Sequence, residues 1–152
     1  MCWFPSGGTG SGTARLSSGS FVTPDVSHPW ASVYADETFV TRVGALHADL
    51  AELQDRAVGA PTSSSPLPGL IVRMLDLLNP EPGQQVLDIG TGSGYSAALL
   101  GHRLGDELVT SIDVDAYLVQ AARDRLEGFG RRPRMVVADA TGELPERGNT
   151  TG

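Results

Sequence analysis

The chain has 152 residues, 40% of them hydrophobic, which is enough for one domain with a core of its own. Its formal charge of −7 makes nucleic acid a poor partner, and because all 11 basic residues are arginines, mechanisms that need a lysine are excluded. Cys2 is the single cysteine and cannot form an internal disulfide, and no apolar run of about 18 residues predicts a membrane span, so we expect a cytoplasmic protein.

Residues 1–27 are rich in Gly, Ser and Thr, and their few hydrophobic side chains follow no period, so we expect a flexible leader. Its "GGTGSGT" stretch lacks the Lys-Ser/Thr ending of a phosphate-binding loop and is interpreted as linker. Residues 28–67 are expected to form an N-terminal extension, in which "HPWASVYADETFVTRV" predicts one or two short strands. The helical spacing of Leu46, Leu50 and Leu53 then predicts a short amphipathic helix.

The Pro- and Ser-rich stretch "APTSSSPLPG" predicts a turn and a helix cap, with Pro68 in the first turn of the helix that follows. That helix, "PGLIVRMLDLLN", is predicted to end at Asn79 and Pro80. Its apolar side chains recur at helical spacing and define one face: Leu70, Ile71, Met74, Leu75 and Leu78.

From residue 84 onwards, predicted strands and helices alternate with short connections. The stretches "QQVLDIG", "ELVTSIDV" and "RMVVAD" are typical of buried strands, and helices are predicted between them. The first of these helices is expected to end at Gly105, and the second to begin at a cap on Asp115 and to end at Gly130. This alternation predicts a parallel sheet with right-handed crossovers, so residues 68–152 are interpreted as the N-terminal half of a Rossmann-like, doubly wound α/β domain.

Three glycines, Gly90, Gly92 and Gly94, lie between the first of these strands and its helix, where a loop can approach a ligand closely. A dinucleotide loop has the pattern Gly-x-Gly-x-x-Gly, but Tyr95 stands where its last glycine is expected. Asp88 would repel a pyrophosphate. A carboxylate there suits a cationic ligand, and S-adenosylmethionine carries both an amino group and a sulfonium, so the sequence favours S-adenosyl-L-methionine as cofactor.

Two further acids follow the next two strands. Asp113 is placed to accept hydrogen bonds from both ribose hydroxyls, and Asp139 from the adenine amino group. For Asp139 the alternative of a helix cap stays open, as does a core-packing role for Tyr95, which otherwise covers the cofactor. The predicted cofactor site comprises Asp88, Gly90, Thr91, Gly92, Gly94, Tyr95, Asp113, Val114, Asp139 and Ala140.

The stretch "VRMLDLLNPEPGQQVLDIGTGSGYSAALL" resembles the glycine-loop region of the protein-L-isoaspartate O-methyltransferases. "VYADETF" is similar to that family's Tyr-x-Asp-Glu stretch, and "TSSSP" is similar to its substrate loop, which matches Ser64 to the family's active-site serine. More narrowly, the chain resembles the variant methyltransferases encoded with ATP-grasp enzymes in ribosomal peptide maturation. The resemblance covers residues 29–144.

This resemblance implies a class I methyltransferase fold and methyl transfer from S-adenosylmethionine to an aspartate or isoaspartate carboxylate of a peptide or protein. Because a carboxylate is already ionised at neutral pH, the reaction needs alignment and exclusion of water more than a strong acid, base or metal. Ser64 would orient the incoming carboxylate, and the alternative is a helix N-cap. The three histidines, His28, His47 and His102, show no spacing typical of metal ligands.

The sequence ends soon after the third predicted strand, so only three parallel strands are expected, with the first as an exposed apolar edge. We therefore expect a truncated chain with weak cofactor affinity and little turnover. A noncatalytic cofactor-binding fragment and a methyltransferase for a small molecule stay open as alternatives. A nicotinamide-dependent oxidoreductase would use Asp113 but has a different glycine spacing.

Overall fold

In the computed structural model, residues 38–52, 55–142 and 144 are described. The predicted leader and the Tyr-x-Asp-Glu stretch beginning at Tyr34 lie outside these residues. The chain divides into two compact units, residues 1–73 and 74–152, which are considered separately. In the described ranges, none of the helices combines the length and the apolar character that crossing a membrane requires.

The first unit contains a small antiparallel sheet with the strand order β2-β1-β3. Its strands are β1 (Phe39–Val43), β2 (Leu46–His47) and β3 (Pro61–Ser65). The Thr41 hydroxyl on β1 donates a 2.8 Å hydrogen bond to the Ser63 hydroxyl on β3, and Val43 is buried. The prediction of a short strand from "FVTRV" is therefore confirmed.

The predicted amphipathic helix after β1 is wrong. Gly44 has a φ of +57°, a conformation that favours glycine, and it turns the chain back so that Leu46 pairs with Val43 in a hairpin. Leu50 is exposed, and Leu53 lies outside the described residues. Leucines at helical spacing thus did not decide the structure here, because the backbone of this segment found its hydrogen-bond partners on β1.

The predicted turn and cap at "TSSSP" is also replaced by a strand. Ser64 pairs with Val40 across the β1–β3 ladder, so the backbone of this segment is paired with β1 instead of forming a turn. The helix α1 (Pro68–Leu78) then begins at Pro68 as predicted and ends before Asn79, whose φ is +42°. Of the predicted apolar face, Leu70, Met74 and Leu78 are exposed, whereas Leu75 packs against the core of the second unit.

The second unit contains a parallel sheet with the strand order β4-β5-β6. Its elements are β4 (Val86–Ile89), α2 (Tyr95–Leu104), a short 3-10 helix (Asp106–Leu108), β5 (Val109–Asp113), α3 (Ala116–Gly128) and β6 (Arg134–Val137). In register, Asp88 lies opposite Ser111, and Asp113 lies opposite Val137. Strands and helices alternate as predicted, and the α/β fold with a parallel sheet is confirmed.

The core of this unit lies between the sheet and helices α2 and α3. Its buried side chains are Ala97, Ala98, Leu100, Val109, Val119, Ala122, Leu126 and Met135. On α3 the predicted inner face is confirmed, because Leu118 is buried together with Ala122 and Leu126. In the part of the chain that the structure describes, β4 pairs only with β5, and its Leu87 and Ile89 side chains are exposed.

The ends of these helices follow the capping pattern that was predicted. Gly105 is the C-cap of α2, and the Asp115 carboxylate accepts a 2.9 Å hydrogen bond from the Tyr117 amide at the start of α3. After α3, Gly130 has a φ of +71°, and the Arg131 amide bonds back to the helix. These caps fix where each helix meets the edges of the sheet.

Candidate functional site

The candidate site lies at the carboxyl ends of the parallel strands, where the glycine loop connects β4 to α2. The amides of Gly90 and Thr91 donate hydrogen bonds of 2.8 and 3.1 Å to the Ile112 carbonyl on β5. Gly94 closes the loop with a 2.8 Å bond from its amide to the Thr91 carbonyl. The loop is therefore anchored to the neighbouring strand before any ligand is considered.

Two of the three glycines in the loop have distinct physical roles. All three have positive φ values, +89° for Gly90, +50° for Gly92 and +84° for Gly94, which side chains rarely adopt. A Cβ on Gly94 would lie 3.1 Å from the Cβ of Ala122, so this glycine lets α2 pack closely against α3. A Cβ on Gly90 would meet no atom within 4 Å. Gly90 therefore borders open space that a ligand can fill.

Asp88, the last polar residue of β4, is held by two serine hydroxyls. Ser111 on β5 donates a 2.7 Å hydrogen bond to Oδ2, and Ser96 on α2 donates a 2.9 Å hydrogen bond to Oδ1. Burial raises the pKa of Asp88 above its ordinary value, and the nearby Asp113 carboxylate adds to this rise, while the two hydroxyl groups oppose it. Among the described residues, the side-chain partners of this carboxylate are the two hydroxyls, so its negative charge is available to a cationic ligand.

Asp113, the last residue of β5, holds the loop and the start of the following turn. Its Oδ2 accepts a 3.2 Å hydrogen bond from the Gly92 amide, and its Oδ1 accepts a 3.0 Å bond from the Asp115 amide. Each carboxylate oxygen retains a further lone pair that can accept a hydrogen bond. Val114 follows Asp113, and its side chain is 68% exposed, which leaves an apolar surface next to this acid.

Asp139 follows β6 and is brought to the same edge because the Ala138 amide donates a 3.0 Å hydrogen bond to the Asp113 carbonyl. Its Oδ1 accepts hydrogen bonds from the amide and the hydroxyl of Thr141, at 2.8 and 2.7 Å, and these bonds lower its pKa. The carboxyl group is exposed, and Ala140 beside it is half-buried. Asp139 thus stabilises a turn and keeps its second oxygen available.

Two further side chains support the loop, Thr91 within it and Arg125 on α3. Thr91 is almost fully buried, and its hydroxyl lies 2.8 Å from that of Ser111, so its side chain anchors the loop from within. Arg125 on α3 donates a 3.0 Å hydrogen bond to the Ser93 carbonyl. Tyr95, the first residue of α2, is half-buried.

The sequence analysis missed Ser96, Ser111 and Arg125 as parts of this site. Ser111 carried one usable signal, a hydroxyl within the apolar strand "VTSID" two residues before the acid that ends the strand. Side chains two apart on a strand lie on the same face, which places Ser111 beneath the edge that holds Asp113. Ser96 and Arg125 carried no such signal, because serines at helix starts and arginines on helix surfaces are common.

Ser64 lies on β3, in the first unit, and is exposed. The alternative that it is a helix N-cap is wrong, because it belongs to a strand and α1 begins only at Pro68. His47 is buried on β2, and His102 accepts a hydrogen bond from Arg131 at 2.9 Å because an arginine cannot accept one. No cluster of potential metal ligands occurs among the residues that the structure describes.

The parallel sheet and the loop that joins an acid to three glycines define a Rossmann-like methyltransferase domain. The family model of the protein-L-isoaspartate(D-aspartate) O-methyltransferases (PCMT) matches residues 33–145, which is most of the chain. The chain therefore belongs to this family.

Comparisons with individual proteins agree with the family match. A protein-L-isoaspartate O-methyltransferase of Aeropyrum pernix is 42% identical over 87 residues, which cover 52% of this chain and 32% of that protein. The protein of the same name from Rhizobium meliloti is 41% identical over 80 residues, 52% of this chain and 38% of its own length. The chain thus spans about a third to two fifths of these curated relatives.

Among solved structures, a protein-L-isoaspartate O-methyltransferase matches with a TM-score of 0.57 and 25% sequence identity. The match covers 78% of this chain and 33% of the solved chain. The identification of the family from the glycine loop is therefore confirmed by sequence and by fold.

Proposed function

We propose that this chain is part of an S-adenosylmethionine-dependent O-methyltransferase that acts on an aspartate or isoaspartate carboxylate of a peptide or protein. The observation that carries the proposal is the position of two acids around the glycine loop. Asp88 is the penultimate residue of β4 and Asp113 the last residue of β5, and the loop between β4 and α2 is anchored to β5 beside them. Membership of the PCMT family supports the reaction type.

The residues of the loop fit S-adenosylmethionine on structural grounds. The open space next to Gly90 allows a ligand to approach the backbone, which a side chain at this position would prevent. The carboxylate of Asp88 has no cationic partner among the described residues and suits an ammonium group. A pyrophosphate would be repelled by the same carboxylate, which argues against a dinucleotide.

When bound, S-adenosylmethionine supplies a methyl group that its sulfonium has already activated. Asp88 would bind the ammonium group, and Asp113 would accept hydrogen bonds from the ribose hydroxyls through its remaining lone pairs. The exposed Val114 would pack against the adenine ring, next to Ala140, and Asp139 would accept a bond from the adenine amino group. These residues bind and orient, and none of them has to transfer a proton.

The substrate side of the proposal rests on Ser64. Its exposed hydroxyl on β3 would donate a hydrogen bond to the incoming carboxylate and orient it for attack. The carboxylate needs no general base because it is ionised at neutral pH. The relatives are named for isoaspartate in proteins, which supports a peptide or protein as substrate. We also propose a cytoplasmic location.

The proposed function is tested by incubating the purified chain with labelled S-adenosylmethionine and three peptides that contain isoaspartate, aspartate or neither. In line with the little turnover expected of this chain, we expect slow labelling of the first or second peptide, with the mass gain of one methyl ester on the acidic residue. Ser64→Ala should abolish transfer and leave the binding of S-adenosylhomocysteine unchanged. Ser63→Ala is the matched control, because the Ser63 hydroxyl bonds to Thr41 within the sheet, and this variant should retain transfer.

Calorimetric titration, read together with the transfer assay, separates the remaining alternatives. Binding of S-adenosylhomocysteine without transfer to any peptide would favour a noncatalytic cofactor-binding fragment. Transfer to small carboxylic acids but not to peptides would favour a small-molecule methyltransferase. Binding of NAD in place of S-adenosylhomocysteine would refute the cofactor assignment.

A further inference from the structure

We propose that Ser111 is a positioning residue that holds the Asp88 carboxylate in its ionised form and aims it at the ammonium group of the ligand. This inference rests on the proposed function, because it concerns how the same site recognises S-adenosylmethionine. It adds a residue that makes no direct contact with ligand in the proposed arrangement. We therefore expect a substitution of Ser111 to weaken only the interaction with the ammonium group of the ligand.

The geometry consists of a chain of side-chain hydrogen bonds from the loop to the strand end. The Thr91 and Ser111 hydroxyls lie 2.8 Å apart, and the Ser111 hydroxyl lies 2.7 Å from the nearer Asp88 oxygen. Ser111 is completely buried and Thr91 is 2% exposed. Water therefore does not replace either partner, and the arrangement is fixed by the fold.

The direction of each hydrogen bond follows from the number of protons. An ionised carboxylate only accepts, so Ser111 must donate its single proton to Asp88. Ser111 can then only accept from Thr91, which makes Thr91 the donor in that pair. Each donor thus points towards the carboxylate, and the chain of hydroxyls stabilises negative charge on Asp88.

This stabilisation matters because burial works against it. The pKa of Asp88 is raised by burial, and also by the neighbouring Asp113 carboxylate, while the hydroxyls of Ser111 and Ser96 lower it. Without the Ser111 hydroxyl, Asp88 would take up a proton at a higher pH. A protonated Asp88 would lose its charge and with it the attraction for a cationic group.

The test compares two ligands that differ in the amino-acid portion, which carries the ammonium group. S-adenosylhomocysteine carries the amino-acid portion with its ammonium group, whereas methylthioadenosine has the nucleoside and thioether without it. For Ser111→Ala we expect S-adenosylhomocysteine to bind about tenfold more weakly and methylthioadenosine to change by less than about twofold. The matched control is Thr110→Val, which removes the neighbouring hydroxyl from the opposite face of β5 and should change neither affinity.

A purely structural role for Ser111 predicts a different result. If the variant loosened the whole loop, both ligands would bind more weakly by similar factors, and the proposal would be overturned. Unchanged binding of S-adenosylhomocysteine would overturn it as well. Wild-type chain that binds neither ligand would instead refute the proposed cofactor.

A measurement without ligand tests the hydrogen-bond chain itself. The carboxyl carbon of Asp88 is titrated by NMR in the wild type, in Ser111→Ala and in Thr110→Val. We expect the Asp88 midpoint to move to higher pH in Ser111→Ala and to stay in place in Thr110→Val, with the Asp113 titration followed in the same spectra. An unchanged midpoint in Ser111→Ala would overturn the inference whatever the chain binds.

Discussion

Gly94 provides the sharpest test of how the glycine loop packs against α3 within the second unit. The change is Gly94→Ala, which adds one methyl group at the position where α2 begins. Gly94 has a φ of +84°, and the new Cβ would lie 3.1 Å from the Cβ of Ala122 and 3.5 Å from Cδ1 of Leu126. Both neighbours belong to the buried face of α3, so the crowding cannot be relieved by movement into solvent.

The expected cost has two parts. A side chain in the left-handed region costs about 1–2 kcal/mol, and inserting a methyl group into a packed core costs about 1–3 kcal/mol. The loss of glycine's freedom in the unfolded chain returns about 0.4–1 kcal/mol. We therefore expect Gly94→Ala to lower the free energy of unfolding by about 2–4 kcal/mol.

The assay is urea unfolding followed by far-UV circular dichroism, with Gly128→Ala as the matched control. Gly128 is the last residue of α3, and a Cβ there would meet no atom within 4 Å. The control should leave stability unchanged or raise it by at most about 0.5–1 kcal/mol, because alanine favours the helix most strongly in its interior. If Gly94→Ala lost less than about 0.5 kcal/mol, or if the control were equally damaging, the reasoning from close packing would be refuted.

The remaining predictions concern the ligand side of the loop and one helix cap. Gly90→Ala should lower the free energy of unfolding by about 1–2 kcal/mol, because its φ of +89° strains a side chain. It should also weaken the binding of S-adenosylhomocysteine by more than this loss of stability explains. A loss of affinity no larger than the loss of stability would contradict a ligand-facing role for Gly90. The pKa of Asp88 is raised above 3.8 in the folded chain, so the folded state holds this proton to a higher pH than the unfolded state does. Stability should therefore fall as pH rises from the unfolded to the folded pKa of Asp88, and Asp88→Asn should remove this fall in pH-dependent melting. The same variant should bind S-adenosylhomocysteine about ten- to a hundredfold more weakly at neutral pH, and unchanged calorimetric affinity would exclude Asp88 from the site. Asp115→Ala should cost about 1 kcal/mol in urea unfolding by removing the cap on the Tyr117 amide, without altering ligand binding.

The second unit could be predicted from the sequence because its signals are local. Each strand is a short apolar run, each helix has a periodic apolar face, and the caps at Gly105 and Asp115 stand where the helices end or begin. Short connections between alternating strands and helices leave few topologies other than a parallel sheet. The acids at the strand ends could then be placed at one edge, because parallel strands all end on the same side.

The first unit was predicted only in part: a short strand was expected at β1, but its partners β2 and β3 were not. Leu46 and Leu50 have helical spacing, but the strand β1 lies nearby in sequence and supplies backbone partners to both β2 and β3. The serines of β3 have no hydrophobic pattern that would reveal a strand. The spacing of the leucines does not reveal the hairpin between β1 and β2, and it does not reveal the pairing of β3 with residues of β1 about 20 positions earlier.

The site shows the same division between local and distant signals. The glycines and acids have chemistry that is visible in the sequence, whereas the contact between Asp88 and Ser111 depends on the register of β4 against β5. Register is set by the packing of whole strands, so a single serine gives no sign of it. The partners of the acids were therefore found only in the structure, although the acids themselves were predicted.

The arrangement of charge around the loop is better explained by a ligand than by stability. Asp88 is a partly buried carboxylate whose pKa is raised by burial and by the nearby Asp113 carboxylate, so its ionised form costs free energy in the folded chain. Within the described residues its side-chain partners are hydroxyls rather than an arginine, although the chain has 11 arginines available. Hydroxyls reduce the cost without neutralising the charge. A cationic group on the ligand would neutralise the remaining negative charge of Asp88. We therefore expect Asp88 to lower the stability of the free chain and to raise its affinity for the ligand.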